Sequence, residues 1–138
     1  MIDITKELIG FLLANSGIQE LVGNSIFSER QPQDVAAPCV LLWTKTEEPW
    51  NHLQGHTGVD QASIQIDSYG RSRAEANQIA GTVRQSLTEF LYGRMGSAIV
   101  KECVSESGII HGTDRPTDGS AEYRYISSQM FSLTYDFV

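Results

Sequence analysis

The chain has 138 residues, 41% of them hydrophobic, enough to bury about 68–70% of the surface its unfolded form exposes and so to build one self-sufficient core as a single domain over residues 1–138. Seventeen acidic against ten basic side chains give a net charge of -7, and the basic residues are scattered, which argues against tight, sequence-independent binding to a nucleic-acid backbone. Two cysteines, Cys39 and Cys103, both on predicted strands, make no disulfide framework and read as small buried hydrophobes of a reducing compartment.

From Asp3 to Asn15, Ile4, Leu8, Phe11 and Leu12 recur at helical spacing and predict a first helix with one buried stripe. The apolar run Leu8 to Ala14 is too short to span a bilayer, and Asp3 and Glu7 in place of a basic leader argue against a signal peptide, so a soluble, intracellular product is expected. Ser16 with Gln19 reads as a capping box that opens a second short helix through Ile18, Leu21 and Val22, stopped by Gly23. Ser25 to Glu29 fits a brief strand, and Gln31 to Pro38, with two prolines, fits a connecting loop.

Cys39 to Glu47 carries Val40, Trp43, Thr44 and Thr46 and predicts the first long strand. Glu48 to Thr57 reads as the loop of an extended hairpin. In Val59 to Tyr69, Ala62, Ile64 and Ile66 alternate with Gln61, Ser63, Gln65 and Asp67, the period-2 signature of a sheet with one covered face. The cover follows at once. Ser72 and Glu75 form a capping box, and Ala76, Ile79, Ala80, Val83, Leu87, Phe90 and Leu91 share one stripe of a helix expected from Arg73 to Tyr92, ended by Gly93 and Gly96. Ala98 to Glu106 predicts a further strand, and Ser107 to Ala121 reads as a long polar loop. The last strand carries Phe131, Leu133, Tyr135 and Phe137 on one face. The order α-α-β-β-α-β-β, with helices grouped on one side of a mostly antiparallel sheet, is an α+β layout.

Reactive constellations are sparse. His52 and His56 have the i, i+4 separation of metal-binding helices, but they flank Gly55 in a predicted loop, where that spacing puts no two imidazoles on one face. A zinc site would need further ligands, and His111, Asp114 and Asp118 are the nearest by type. Glu47 and Glu48 are adjacent on a strand and point to opposite faces. Cys103 lies between Glu102 and Val104, surroundings that discourage a thiolate. Gly93-Arg-Met-Gly96 follows a helix instead of preceding one, and Ser68 lacks the Gly-x-Ser-x-Gly elbow. No catalytic residue, metal or cofactor is therefore assigned. What remains is contact surface: Trp50 in a polar loop beside His52 and Leu53, and the uncharged outward row of the central strand.

Taken together, the helical start, Gly23, Ser25-Ile-Phe27, the proline loop ending Ala37-Pro38-Cys39-Val40, the long hairpin, and Ile64-Gln-Ile-Asp-Ser-Tyr-Gly70 followed by Ser72-Arg-Ala-Glu-Ala76 and a long helix resemble the tail completion proteins of tailed bacteriophages. The resemblance covers essentially the whole chain, with Cys39 standing where members often carry an aromatic. It implies a structural protein of the virion neck that caps the tail tube and joins it to the head connector. It also implies a closed ring, commonly a hexamer, with the tail-tube and connector proteins as partners. The same resemblance implies that DNA passes through the lumen without specific binding, that no membrane is involved, and that the chain resides in the host cytoplasm before assembly. Six such chains carry 6 × -7 = -42, and part of that acidity is expected to line the lumen. The expected interface residues are Trp50, His52, Leu53 and His56 in one loop and His111, Asp114 and Asp118 in another. Two other functions fit the residues alone: a cytosolic module binding a small ligand or peptide on its open sheet face, and a metal-dependent hydrolase using His52, His56 and His111.

Overall fold

Two short helices begin the computed structural model, which describes residues 3–28, 37–52, 55–90, 92–114 and 124–137. Asp3 caps α1 (Ile4–Leu13), its carboxylate accepting from the Thr5 N–H at 3.0 Å. In α2 (Ser16–Val22) the cap falls one residue earlier than the Ser16–Gln19 spacing predicts: Asn15 Oδ1 accepts from the Ile18 N–H at 3.1 Å, and Ser16 is already inside the helix. Asn and Ser are near-equal caps. Asn15 takes the role because α1 has ended at Ala14 and leaves it extended, with φ -81° and ψ 118°. Gly23, at φ 61°, then stops α2.

The strands are β1 (Ile26–Ser28), β2 (Cys39–His52), β3 (Gly55–Gly70), β4 (Gly93–Met95), β5 (Ala98–Ser105), β6 (Ile110–Asp114) and β7 (Arg124–Phe137), with α3 (Arg73–Thr88) between β3 and β4. They form one sheet in the order β1-β2-β3-β7-β5-β4, with β6 beside β7. All pairs are antiparallel except β1 with β2, so the sheet is mixed within the expected α+β class.

The alternation in β3 sorts its side chains as predicted. Ala62, Ile64 and Ile66 are fully buried beneath the helices together with Leu42, Phe131, Leu133 and Val100 from the neighbouring strands. Onto this layer α3 lowers Ala76, Ile79, Ala80, Val83 and Leu87, and α1 adds Ile4, Leu8 and Leu12. Gly70 is required where β3 meets α3, because a Cβ there would stand 2.5 Å from the Ala76 backbone nitrogen. Ser72 Oγ accepts from the Glu75 N–H at 3.1 Å, the first half of the expected capping box, while the returning bond goes to the residue before the cap. The Glu75 carboxylate accepts from the Arg71 N–H and pairs with the Arg71 guanidinium at 2.9 Å, which holds that carboxyl below its usual range.

Three expected boundaries move. Helix α3 stops at Thr88, short of Tyr92, because Phe90 turns back to meet Phe11 edge-on at 5.2 Å. Gly93 then opens β4 and Gly96, at φ 59°, makes the β4–β5 turn, so neither glycine is a helix cap. A Cβ on Gly96 would also strike the Glu7 carboxylate, which accepts from Ser97 N–H and Oγ and ties α1 to this turn. The presumed loop Glu48 to Thr57 is strand on both sides, through His52 and from Gly55, and the presumed loop Ser107 to Ala121 contains β6. Leu91 lies outside the described residues.

Candidate functional site

Two long hairpins dominate the surface, and they point in opposite directions. In the first, β2 and β3 pair from Cys39↔Tyr69 out to His52↔Gly55. Its inner strand stays with β7 only from Gly70↔Tyr125 to Val59↔Asp136, so residues 55–58 run on past the sheet for about 13 Å of strand. In the second, β7 pairs with β5 along its later half and with β6 along its earlier half, through Asp114↔Arg124. Its last described pair, Asp114↔Arg124, stands one residue past Gly70↔Tyr125, at the end of the sheet opposite His52↔Gly55. Strands β5 and β6 act as one interrupted strand: the Glu106 N–H donates to Met130 O at 2.9 Å, the Met130 N–H donates to Ser107 Oγ at 3.2 Å, and Arg84 of α3 donates to Ser107 O at 3.2 Å. Arg84 thus anchors the break to the helix layer and fixes where the second hairpin departs.

This register decides the fate of the predicted site residues. Trp50 and His52 belong to strand β2 and His56 to β3, where Asn51 faces His56 and His52 faces Gly55, so the structure brings the two histidines to one hairpin end. His111 and Asp114 belong to β6 at the other end. Leu53 and Asp118 lie outside the described residues. His111 pairs with Ser127 and Ser127 with Ser68, so along β3 its level lies twelve residues from His56, about 40 Å of extended strand. A single chain therefore cannot gather His52, His56 and His111 around one metal, which removes the hydrolase reading that rested on them. Among the described residues, no group of three or more His, Cys, Asp or Glu side chains converges as a metal site.

His111 Nδ1 lies 3.1 Å from Ser127 Oγ. A serine paired with histidine is the beginning of an activated nucleophile, but Ser127 is fully buried, so the pair is structural at this position. The thiols are equally unsuited to nucleophilic work. Burial pushes Cys103 up to about 11, and it does the same to Cys39 despite the opposing charge of Arg124, so both stay protonated at neutral pH.

The face of the sheet away from the helices is not a plain solvated surface. Gln61 donates to Ser132 Oγ at 3.0 Å, Ser63 to Glu106 at 2.7 Å and Gln65 to Asp67 at 2.9 Å, while Ser128 also donates to Asp67. Near the Tyr69 end, Cys39, Leu41 and Tyr69 form a small apolar cluster flanked by Phe27, Ala37, Trp43 and Ile126, with Arg124 over the Tyr69 ring at 5.1 Å. Towards the β5–β6 rim, Val104 and Ile110 stand 46% and 67% exposed. The sequence marks these two positions as ordinary β-formers; only the pairing Val104↔Ser132 and Ile110↔Ser128 reveals that both face outward.

The described residues thus form a one-sided α+β sheet with the β2–β3 hairpin end at one end and the β6–β7 pairing at the other. The family model for tail completion protein gp17 matches residues 6–92, and the chain belongs to that family, whose members are structural proteins of the phage tail. Among solved structures, a chain of the virion of the native gene transfer agent particle superposes with a TM-score of 0.63 at 15% identity, covering 96% of this chain and 91% of that one. The gp17 protein of bacteriophage SPP1 aligns with a TM-score of 0.49 at 17% identity over 98% of this chain and 88% of that one. No curated protein sequence matches.

Proposed function

We propose that this protein caps the phage tail tube and joins it to the head connector as one subunit of a ring, with six copies around the DNA channel. The observation that carries the reading is the opposed departure of the two hairpins from a single rigid sheet. A body with a hairpin at each end is suited to hold two different neighbours, one at each end, while copies of itself meet over surfaces other than the β2 and β5 rims. The family membership supports the tail location, and the partners that fit are the tail-tube protein at one arm and the connector at the other. Trp50, His52, Leu53 and His56 supply the first contact, and His111, Asp114 and Asp118 the second. The net charge of -7 per subunit, -42 for six copies, suits a lumen from which DNA slides freely.

The reading is tested by shortening each arm in turn, replacing residues 50–57 or residues 112–125 with a two-residue Asn-Gly turn, and counting joined heads and tails by electron microscopy in a complementation assay. Loss of tail-tube binding from one variant and of connector binding from the other is expected. If both shortened proteins join particles as well as the parent does, the arms are not the contacts. On a finer scale, Trp50→Ala should leave the melting temperature unchanged and weaken assembly by about 2 kcal/mol, the cost of truncating a buried aromatic anchor. For the lumen, reversing acidic residues there to lysine should make DNA stick during passage, and unchanged DNA release would count against it.

A further inference from the structure

The two edges of the sheet are built alike. On one side, β1 covers only the start of β2, from Ile26↔Val40 to Ser28↔Leu42. On the other, β4 covers only the start of β5, from Gly93↔Val100 to Met95↔Ala98. Just past each cover the edge strand carries one extra residue against its inner neighbour. Thr44 and Thr46 oppose the consecutive Ile64 and Ser63, so Lys45 is the inserted residue. Val100 and Glu102 oppose the consecutive Tyr135 and Thr134, so Lys101 is the inserted residue. Both lysines are exposed. The chain contains only three lysines among 138 residues, so two of the three occupy the two equivalent positions.

Beyond these bulges, the rims of β2 from Thr46 and of β5 from Glu102 have no further strand beside them among the described residues. Such a rim offers a row of backbone N–H and C=O groups to any incoming strand, and a second copy of the same chain is always the nearest source. A bulge interrupts the regular spacing of those groups and sharpens the local twist. A lysine at the bulge adds a charge that an incoming strand must desolvate, and that faces its own like in a symmetric pairing. On β2 the uncovered run also contains Pro49, which has no N–H to offer.

We propose that Lys45 and Lys101 are paired edge guards that keep copies of this chain from joining rim to rim through β2 and β5. The inference does not depend on the ring. It says which surfaces two free copies refuse, whatever surfaces they use once assembled.

The test uses the full chain and the double variant Lys45→Thr/Lys101→Thr, which removes both charges, adds no apolar surface and suits a strand. Lys45→Arg/Lys101→Arg keeps the charges and serves as the control. Sedimentation velocity over a wide concentration range at low salt reads the association, and hydrogen exchange of residues 46–47 and 102–105 reads its location. The expected result is a parent and an Arg control that stay at subunit mass, and a Thr variant whose self-association tightens about tenfold with slowed exchange on those rims. A parent already associated through these rims, a Thr variant with the parent's mass at every concentration, an Arg control that associates as strongly as the Thr variant, or association that protects other segments instead would each overturn the proposal. Should the Thr pair fail to fold, the Lys→Gln pair, equally uncharged and closer in length, reads the same equilibrium.

Discussion

The two faces of β3 come from one alternating sequence yet hold the protein together by different means. Ala62, Ile64 and Ile66 disappear under the helices beside Phe131 and Leu133, and that face contributes through removal of apolar surface from water. Gln61, Ser63, Gln65 and Asp67 face the other way and are tied to neighbours by hydrogen bonds, each of which contributes about 1 kcal/mol net because water offers the same bonds to the unfolded chain. Apolar burial and side-chain hydrogen bonding are thus separated across the thickness of a single sheet. One face cannot be exchanged without unfolding. The other trades its partners at small cost, as the proposed subunit would require.

The largest test of this division is on the covered face. Phe131→Ala empties the centre of the core, where Phe131 is the largest fully buried side chain among the described residues, and should lower the unfolding free energy in urea by about 3–5 kcal/mol. Its chain neighbour Ser132, which accepts from Gln61 on the open face, should tolerate alanine with less than about 1 kcal/mol lost. A similar cost at both positions would erase the distinction between the faces.

The next effect is on the open face at the one carboxylate there that is 7% exposed. Asp67 accepts from Gln65 and Ser128, and Asp67→Ala leaves those donors without their acceptor, at a cost of about 1–3 kcal/mol. Asp67→Asn keeps an acceptor oxygen and should recover part of the loss. A loss as large as that at Phe131 would show the open face to be a second core.

Alkaline pH acts on both faces, because the open face holds the buried Cys39 and the covered face the half-buried Cys103 and the buried Tyr135. Cys39 on the open face and Cys103 on the covered face are pushed up to about 11 from the ordinary 9.0, and burial lifts Tyr135 to about 12 with further help from nearby carboxylates. The unfolded chain releases these protons first, so between about pH 9 and 11 it binds fewer protons than the folded chain and stability falls as pH rises. A fall in stability across this window is expected, and Cys39→Ala or Cys103→Ala should each flatten the slope. A stability that stays level from pH 9 to 11 would mean that the thiols ionise as freely folded as unfolded.

How much of this was legible beforehand follows from what sets each feature. The covered face was readable because Ala62, Ile64, Ile66 and the stripe from Ala76 to Leu87 are determined by local period, and the Ser72–Glu75 cap by local spacing. The outer hairpin was hidden because Pro49, Asn51, His52, Gly55 and Gly58 are poor strand formers on their own; only pairing across the hairpin makes them extended. Strand β6 was hidden for the same reason, since Gly112 and Asp114 lie in it and its partner is the distant start of β7. Local sequence therefore points to loops where Trp50, His52, His56, His111 and Asp114 sit on strands, and the opposition of the two hairpin ends, a property of register, leaves no trace in local sequence. The two lysine bulges had a faint one: a charged residue between threonines at 44 and 46, and between Val100 and Glu102.

The smallest effect is the most telling for the open face. Ser63 donates at 2.7 Å to Glu106, an exposed bond between β3 and the rim beyond β5. Removing it with Ser63→Ala leaves no buried group unsatisfied, because the Glu106 carboxylate is exposed and takes water instead, so a change within about 0.5 kcal/mol is expected. Chemical denaturation of parent and variant measured together resolves a difference of that size through the shift in midpoint. If the loss instead exceeded about 1 kcal/mol, the polar row would be acting as fixed structure, and a neighbour could not replace its bonds without first unfolding part of the sheet.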